Sequence, residues 1–138
     1  MQAFLDWTWA RRAISCGTPV GEELKQATTS QKRESLRQEL YEETYPHMEG
    51  EEASIFAFMQ AADDEEVKEH ALEAVQEHHV AKLVLREVKE LVLTSQIFKA
   101  KASVLDELNR MHMDEEETYH FPWLERNVPA GELDRLFE

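Results

Sequence analysis

The residues best suited to chemistry in this chain are two histidine–glutamate pairs of identical spacing. His47 precedes Glu51 and His112 precedes Glu116, in each case by four positions. On an α-helix, side chains four residues apart lie on the same face, about one turn from each other. An imidazole nitrogen and a carboxylate oxygen on one face can bind the same transition-metal ion. With His78 between the two pairs in the sequence, the pattern predicts a dinuclear metal centre inside a helical bundle.

The helices that must position these residues follow from the apolar pattern. Apolar residues at spacings of three and four predict a short first helix at about 2–15, a second at about 31–61, a third that ends before Thr94 and a fourth that weakens at Pro122. Short connections force consecutive helices to be antiparallel. The expected fold is all-α, an up-and-down four-helix bundle whose first helix is short or atypical. A chain of 138 residues fits a single domain, 1–138.

Local signals refine the expected helix ends. A hydroxyl in the cluster Thr28-Thr29-Ser30 is expected to cap the second helix. Asp63 and Glu66 resemble a capping box and are expected to open the third. Pro46 lies inside the second helix, where it removes one backbone hydrogen bond and is expected to bend the helix just before His47.

Ionisable side chains interrupt the apolar stripes of all three long helices. An ionised carboxylate buried in a core without a partner destabilises the folded state by on the order of several kcal/mol. A bound cation would offset that cost. Three of the expected ligands have neighbours of the same chemistry, which are Glu52, His79 and Glu115. Helical phase favours the residues already named, and the choice between His78 and His79 remains open.

Other residues near the expected site have secondary roles in this interpretation. His120 continues the face of His112 and could hydrogen-bond a metal ligand, but we expect a partly exposed histidine at a helix end. His70 is expected to be exposed. The apolar lining expected to exclude water from the site comprises Ile55, Phe58, Leu85 and Leu108.

Composition excludes several classes of function. The formal net charge of −14, from 29 acidic and 15 basic side chains, excludes nucleic acid and anionic lipid as partners. The single cysteine, Cys16, excludes an intramolecular disulfide and a cysteine-rich metal site. No apolar run is long enough to cross a membrane, and the start of the chain lacks the basic region of a signal peptide. A cytoplasmic protein is therefore expected.

Three segments carry a resemblance to a known family. Residues 45–52 (YPHMEGEE), 77–83 (EHHVAKL) and 112–117 (HMDEEE), together with Phe121-Pro122, resemble the haemerythrin-like (HHE cation-binding) domain family over about residues 31–126. The resemblance implies an up-and-down four-helix bundle that holds two non-haem iron ions. It implies that Glu51 and Glu116 bridge the ions. The terminal ligands that it implies are His47, His78 and His112.

The chain departs from this family in its first helix. The family normally places a histidine there, but no histidine precedes His47 in this sequence. Asp6 is the nearest oxygen donor to the expected position. The gap leaves an open coordination position, a single-ion site, a ligand supplied by another subunit or an altered first helix. A short first helix would leave part of the core uncovered, so a homodimer that completes the bundle is one expectation. The expected cofactor is two iron ions, with one ion as the alternative and Zn²⁺ or Mn²⁺ as substitutes.

The sequence favours a binding protein over an enzyme. The resemblance implies a protein that binds or senses O₂, a related small ligand such as NO or peroxide, or iron. No motif names a substrate, and no catalytic residue is assigned. The alternative is a degenerate helical bundle that acts as an interaction or oligomerisation module without tight metal binding.

Overall fold

The computed structural model describes residues 20–129 and 131–132, and this part of the chain contains helices and no β-strand. The expected first helix at 2–15, with Asp6 and Cys16, lies outside the described residues. Every described helix is too short or too polar to cross a membrane. In chain order the elements are α1 (residues 20–26), α2 (Ser30–Ala53), α3 (Ile55–Gln60), α4 (Glu65–Glu90), α5 (Phe98–Glu115), a π-helical turn (Glu116–His120) and α6 (Phe121–Asn127).

Helices α2 and α4 pack antiparallel, as the short connection between them requires. Near the start of α2, Arg37 donates a 2.6 Å hydrogen bond to the carbonyl of Leu91, which follows the end of α4. Near the end of α2, Glu52 accepts a 2.7 Å hydrogen bond from Lys82 in the middle of α4. Contacts that run in opposite directions along the two helices define an antiparallel pair. The predicted all-α bundle is confirmed.

Helix α5 packs antiparallel to α4 and also contacts α1. Lys101 near the start of α5 pairs with Glu87 near the end of α4. On the other side of α5, the buried carboxylate of Asp106 lies 3.6 Å from Lys25 of α1. A Cβ atom added to Gly21 would lie only 2.8 Å from Asp106 Oδ1, so the absence of a side chain lets α1 approach α5 closely.

Side-chain caps fix the starts of α2 and α4. The hydroxyl of Thr29 accepts a hydrogen bond from the backbone N–H of Lys32, so the predicted cap of α2 is confirmed. The prediction for α4 was wrong by one residue. Asp64, rather than Asp63, has extended backbone angles and accepts a 3.0 Å hydrogen bond from the N–H of Glu66. Two adjacent aspartates satisfy the sequence rule equally well, and the backbone turn selects the second.

Substitution of the α4 cap tests this assignment. We expect Asp64→Ala to lower the free energy of unfolding by about 1 kcal/mol, because the N–H of Glu66 loses its acceptor. Asp63→Ala, an equally exposed aspartate one residue earlier, serves as the control and should change it by less than about 0.5 kcal/mol. Urea unfolding of the two variants measures the difference, and equal destabilisation would contradict the assignment.

The second long helix is interrupted after Ala53, so the prediction of a continuous helix over about 31–61 was wrong. Ser54 leaves the helical conformation at φ −117° and ψ −88°, and its hydroxyl donates a 2.6 Å hydrogen bond to the carbonyl of Gly50. A serine that bonds to the carbonyl four residues earlier competes with the helix and bends it. Pro46 is accommodated within α2, and its bending effect stays a prediction.

A π-helical turn separates α5 from α6. The N–H of Phe121 bonds to the carbonyl of Glu116, five residues earlier. Pro122 explains the change of pitch, because it has no N–H for the carbonyl of Thr118 and its ring crowds that carbonyl. In a regular α-helix His120 would lie about 80° around the axis from His112. A five-residue turn absorbs an extra residue and brings the two side chains towards the same face.

The apolar core is divided into two clusters. The upper cluster lies between α1, α2, α4 and α5 and comprises Val20, Leu24, Leu36, Leu40, Met48, Ala81, Leu85, Val88, Phe98, Ala102 and Leu105. The lower cluster lies between α3, α4 and α6 and comprises Ile55, Phe56, Met59, Val67, Ala71, Ala74, Phe121, Leu124 and Val128. Ionisable side chains occupy the level between the two clusters on every long helix.

Candidate metal centre

Four ionisable side chains meet in the layer between the two apolar clusters. Glu51 comes from the last turn of α2, His78 from the middle of α4, His112 from the end of α5 and Glu116 from the π-helical turn. Their exposed fractions are 7%, 1%, 8% and 0%, respectively. Buried residues of the two clusters lie about one turn away on either side of Glu51 and of His78; they are Met48 and Ile55 for the first, and Ala74 and Ala81 for the second.

The ligating atoms of these residues converge on one small volume. One nitrogen or carboxylate oxygen from each of the four lies within 4.8 Å of the others. The Nε2 atoms of His78 and His112 are 2.7 Å apart, and His112 Nε2 lies 2.8 Å from Glu116 Oε1. Glu51 Oε1 lies 3.9 Å from His78 Nε2. We call these four residues the donor set.

The fifth predicted ligand, His47, lies beside the donor set. Its side chain is 26% exposed, and its Nε2 lies 2.9 Å from Glu51 Oε1. It therefore contacts the set through Glu51, from one helical turn closer to the start of α2. The structure thus brings four of the five predicted residues together and places the fifth at the edge.

The neighbours considered as alternatives lie outside the donor set. Glu52 is partly exposed and pairs with Lys82. Glu115 is partly exposed and lies in an outer group of carboxylates with Glu73 and Glu77. His79 is exposed. The structure therefore places His78, and not His79, in the interior, as helical phase favours.

Several buried polar atoms of this layer have no hydrogen-bond partner among the described residues. They are Glu51 Oε2, His78 Nδ1, both carboxylate oxygens of Glu116 and, at the edge, His47 Nε2. His47 Nε2 lies 2.9 Å from Glu51 Oε1, and Glu116 Oε1 lies 2.8 Å from His112 Nε2, but neither pair has the alignment of a hydrogen bond. Each unsatisfied buried group costs about 1–3 kcal/mol. Glu51 and Glu116 belong to the converging group, and a cation bound there would provide a partner for their unsatisfied carboxylate oxygens.

Burial and mutual contact move the pKa values of the donor set apart. Burial raises the pKa of Glu116 well above its ordinary value, and the charge of Glu51 raises it further. Burial would also raise the pKa of Glu51, but interactions with Glu116 and His47 lower it to about 2. Two carboxyl groups in one buried site cannot both ionise at little cost, so one of the pair keeps a proton.

The two histidines of the donor set also differ. Burial, followed by the charge of His112, lowers the pKa of His78 to about 3. Burial would lower the pKa of His112 too, but contacts with Glu116 and Glu77 raise it to about 10. The charge of one ionised carboxylate is thus balanced by one protonated imidazole. A cation that binds in the layer can take the place of the protons.

Phe56 is the main residue that the sequence interpretation missed. Its ring is fully buried and packs edge-on against three imidazoles, with centroid distances of 5.3 Å to His78, 5.9 Å to His112 and 5.3 Å to His120. Helical phase selected Phe58 for this role, but Phe58 is only partly buried and faces Trp123. The break at Ser54 rotates α3 relative to α2 and exchanges the two phenylalanines.

The expected exposure of His120 was also wrong. His120 is fully buried, its ring centroid lies 6.3 Å from that of His112, and neither ring nitrogen has a hydrogen-bond partner within the described residues. Burial lowers its pKa to about 4. His70 is partly buried rather than exposed and stacks on Tyr119 at a centroid distance of 3.6 Å. Both findings involve the π-helical turn, which contains His120 and Tyr119. In the sequence, Pro122 is the residue that indicates this turn.

Fold and site together define a class of protein: an all-α bundle with a buried layer of carboxylates and imidazoles whose ligating atoms could hold a metal ion. A family model described as the hemerythrin HHE cation binding domain matches residues 17–124. The chain belongs to this family. The match begins earlier than the segment of resemblance at about 31–126. No curated protein and no solved structure matches the chain.

Proposed function

We propose that this protein binds two iron ions in the polar layer of its core and uses them to bind or sense O₂ or a related small ligand such as NO or peroxide. The observation that carries the proposal is the donor set, four buried side chains with converging ligating atoms, of which both oxygens of Glu116 and one of Glu51 have no hydrogen-bond partner among the described residues. Two glutamates and two histidines form an N₂O₂ set, which suits divalent transition metals.

The arrangement gives the two ions unequal sites. The donor set, Glu51, His78, His112 and Glu116, would hold the first ion. His47 would hold the second together with Glu51 and Glu116, whose carboxylates would be shared between the ions. The second site has one nitrogen ligand in this arrangement, which leaves positions open for a small exogenous ligand. Two carboxylates offset the charge of the cations, and Zn²⁺ or Mn²⁺ can occupy the same set.

The surroundings of the site favour binding over turnover. Phe56 and the two apolar clusters exclude water from the lower and upper sides of the layer. Iron bound here would supply one-electron redox chemistry. Among the described residues we assign none to acid–base or nucleophilic work on a larger substrate. The proposal places the protein in the cytoplasm, in keeping with its single cysteine.

The test is the metal content per chain of freshly purified protein from iron-supplemented cells, with visible spectra before and after azide. About two irons with azide-sensitive charge-transfer bands would support the proposal in full. About one iron would overturn the dinuclear part. No metal, in protein whose circular dichroism shows a folded bundle, would overturn the proposal and favour the interaction module.

A pair of adjacent histidines offers a sharper test of the ligands. We expect His78→Ala to reduce bound metal at least tenfold, because it removes one of two nitrogen donors from the set. His79→Ala alters an exposed residue on the same helix and should leave metal content unchanged. Elemental analysis of both variants measures the effect. A larger loss in His79→Ala would overturn the ligand assignment.

A second candidate function is self-association without tight metal binding. Large apolar side chains stay exposed on the outer face of α4, namely Leu72, Val80 and Leu83, with exposed fractions between 44% and 53%. A homodimer would cover such a face. Light scattering separates the two: a dimer that survives chelators and the loss of Glu51 and Glu116 supports this candidate, and a monomer at high concentration removes it.

A further inference from the structure

The outer nitrogens of the two histidines in the donor set face different carboxylates. His112 Nδ1 is hydrogen-bonded to Glu77 Oε2 at 2.9 Å. His78 Nδ1 lies 3.6 Å from Glu52 Oε1, too far for a hydrogen bond, and Glu52 is already paired with Lys82 at 2.7 Å. Of these two histidines, only His112 therefore has a carboxylate hydrogen-bonded to its outer nitrogen.

The hydrogen bond that His112 Nδ1 donates to Glu77 decides which nitrogen of His112 is free to bind a cation. With the Glu77 carboxylate as the acceptor, Nδ1 of His112 is the donor and carries the hydrogen of this bond. In the neutral ring Nε2 then carries the lone pair. This nitrogen faces the layer, 2.7 Å from His78 Nε2 and 2.8 Å from Glu116 Oε1.

We propose that Glu77 is a positioning residue of the metal centre, which holds His112 in the tautomer and orientation that present Nε2 to the ion. The inference rests on the proposed metal binding. Glu77 directly precedes His78 on α4, so a single helix supplies one ligand and the residue that orients the other. A carboxylate on the outer nitrogen also makes the imidazole a stronger donor.

The surroundings of Glu77 fit this role. Glu77 is partly buried, and its carboxylate contacts His112 Nδ1 at 2.9 Å across the two helices. Glu73 lies one turn earlier on α4 in the same outer carboxylate group, but it is exposed and no hydrogen bond connects it to the donor set. Glu73 is therefore a matched control, with the same charge on the same helix.

The experiment measures Co²⁺ affinity by competition with a chromophoric chelator, together with the visible spectrum of the Co²⁺ complex. Glu77→Ala should weaken binding by about 10- to 100-fold and shift the Co²⁺ bands. Glu77→Gln should recover most of the affinity, because its amide oxygen accepts the same N–H. Glu73→Gln and Glu73→Ala should both stay within about twofold of the unmodified chain.

The outcomes distinguish a positioning role of Glu77 from a general effect of its negative charge. Equal affinities of Glu77→Ala and Glu73→Ala would overturn the proposal, and so would Glu77→Gln binding as weakly as Glu77→Ala. If Glu77→Ala does not fold, Glu77→Asp carries the test, because it keeps the charge but withdraws the oxygen from Nδ1, and it must bind more weakly than Glu77→Gln. If the unmodified chain binds no Co²⁺, iron or Zn²⁺, the proposed function itself fails.

Discussion

The double substitution Glu51→Gln with Glu116→Gln is expected to abolish metal loading without destabilising the metal-free protein. Glutamine keeps the size of each side chain but removes both anionic donors from the set of four. The metal-free protein should keep its free energy of unfolding or gain up to about 2 kcal/mol, because buried carboxylates that crowd each other cost stability.

Added metal provides the second readout of this substitution. A ligand present at 100 times its Kd stabilises the native state by about 2.7 kcal/mol. The unmodified chain should show this gain in urea unfolding with Zn²⁺, and the double variant should show none. The matched control is Glu49→Gln with Glu117→Gln, which makes the same change of charge at exposed positions in α2 and the π-helical turn. Full metal loading of the Glu51/Glu116 variant would refute the site.

Phe56→Ala is expected to have the largest effect on stability of any single substitution considered. Its ring is fully buried at the boundary between the lower cluster and the polar layer. Loss of a buried phenylalanine side chain costs about 3–5 kcal/mol, through lost transfer free energy and the cavity that remains. The cavity would also open beside His78 and His112, whose rings contact Phe56.

Phe58→Ala is the natural control for this substitution. Phe58 lies two residues away on α3 and is only partly buried, so its loss should cost less than half as much. Urea unfolding of the two metal-free variants at equal temperature gives the comparison. A cost for Phe58→Ala that equals or exceeds the cost for Phe56→Ala would mean that α3 presents the other face to the core.

The donor set was accessible from the sequence because three of its residues lie on regular α-helix and the fourth, Glu116, keeps an α-helical hydrogen bond to the carbonyl of His112. His112 and Glu116 keep a spacing of four up to the π-helical turn, and His78 lies in the unbroken middle of α4. A constant twist of 3.6 residues per turn therefore predicts their common face correctly. The same reasoning selected Glu51 over Glu52.

The errors arise where the twist is not constant. The bend at Ser54 exchanges Phe58 for Phe56, and the π-helical turn before Pro122 carries His120 into the core. Both depend on the competition of a side chain or a proline ring with a backbone hydrogen bond. Hydrophobic periodicity does not register such local competition. Contacts across helices, such as Glu77 with His112, are likewise absent from the pattern along a single helix.

The division of the core into two apolar clusters has a consequence for how the protein unfolds. The clusters share little apolar contact across the polar layer, so either one can open without exposing the whole of the other. A cation bound to side chains from α2, α4, α5 and the π-helical turn ties the two halves together, because opening either half breaks ligand bonds. Metal binding should therefore convert two independently exchanging regions of backbone amides into one cooperative unit.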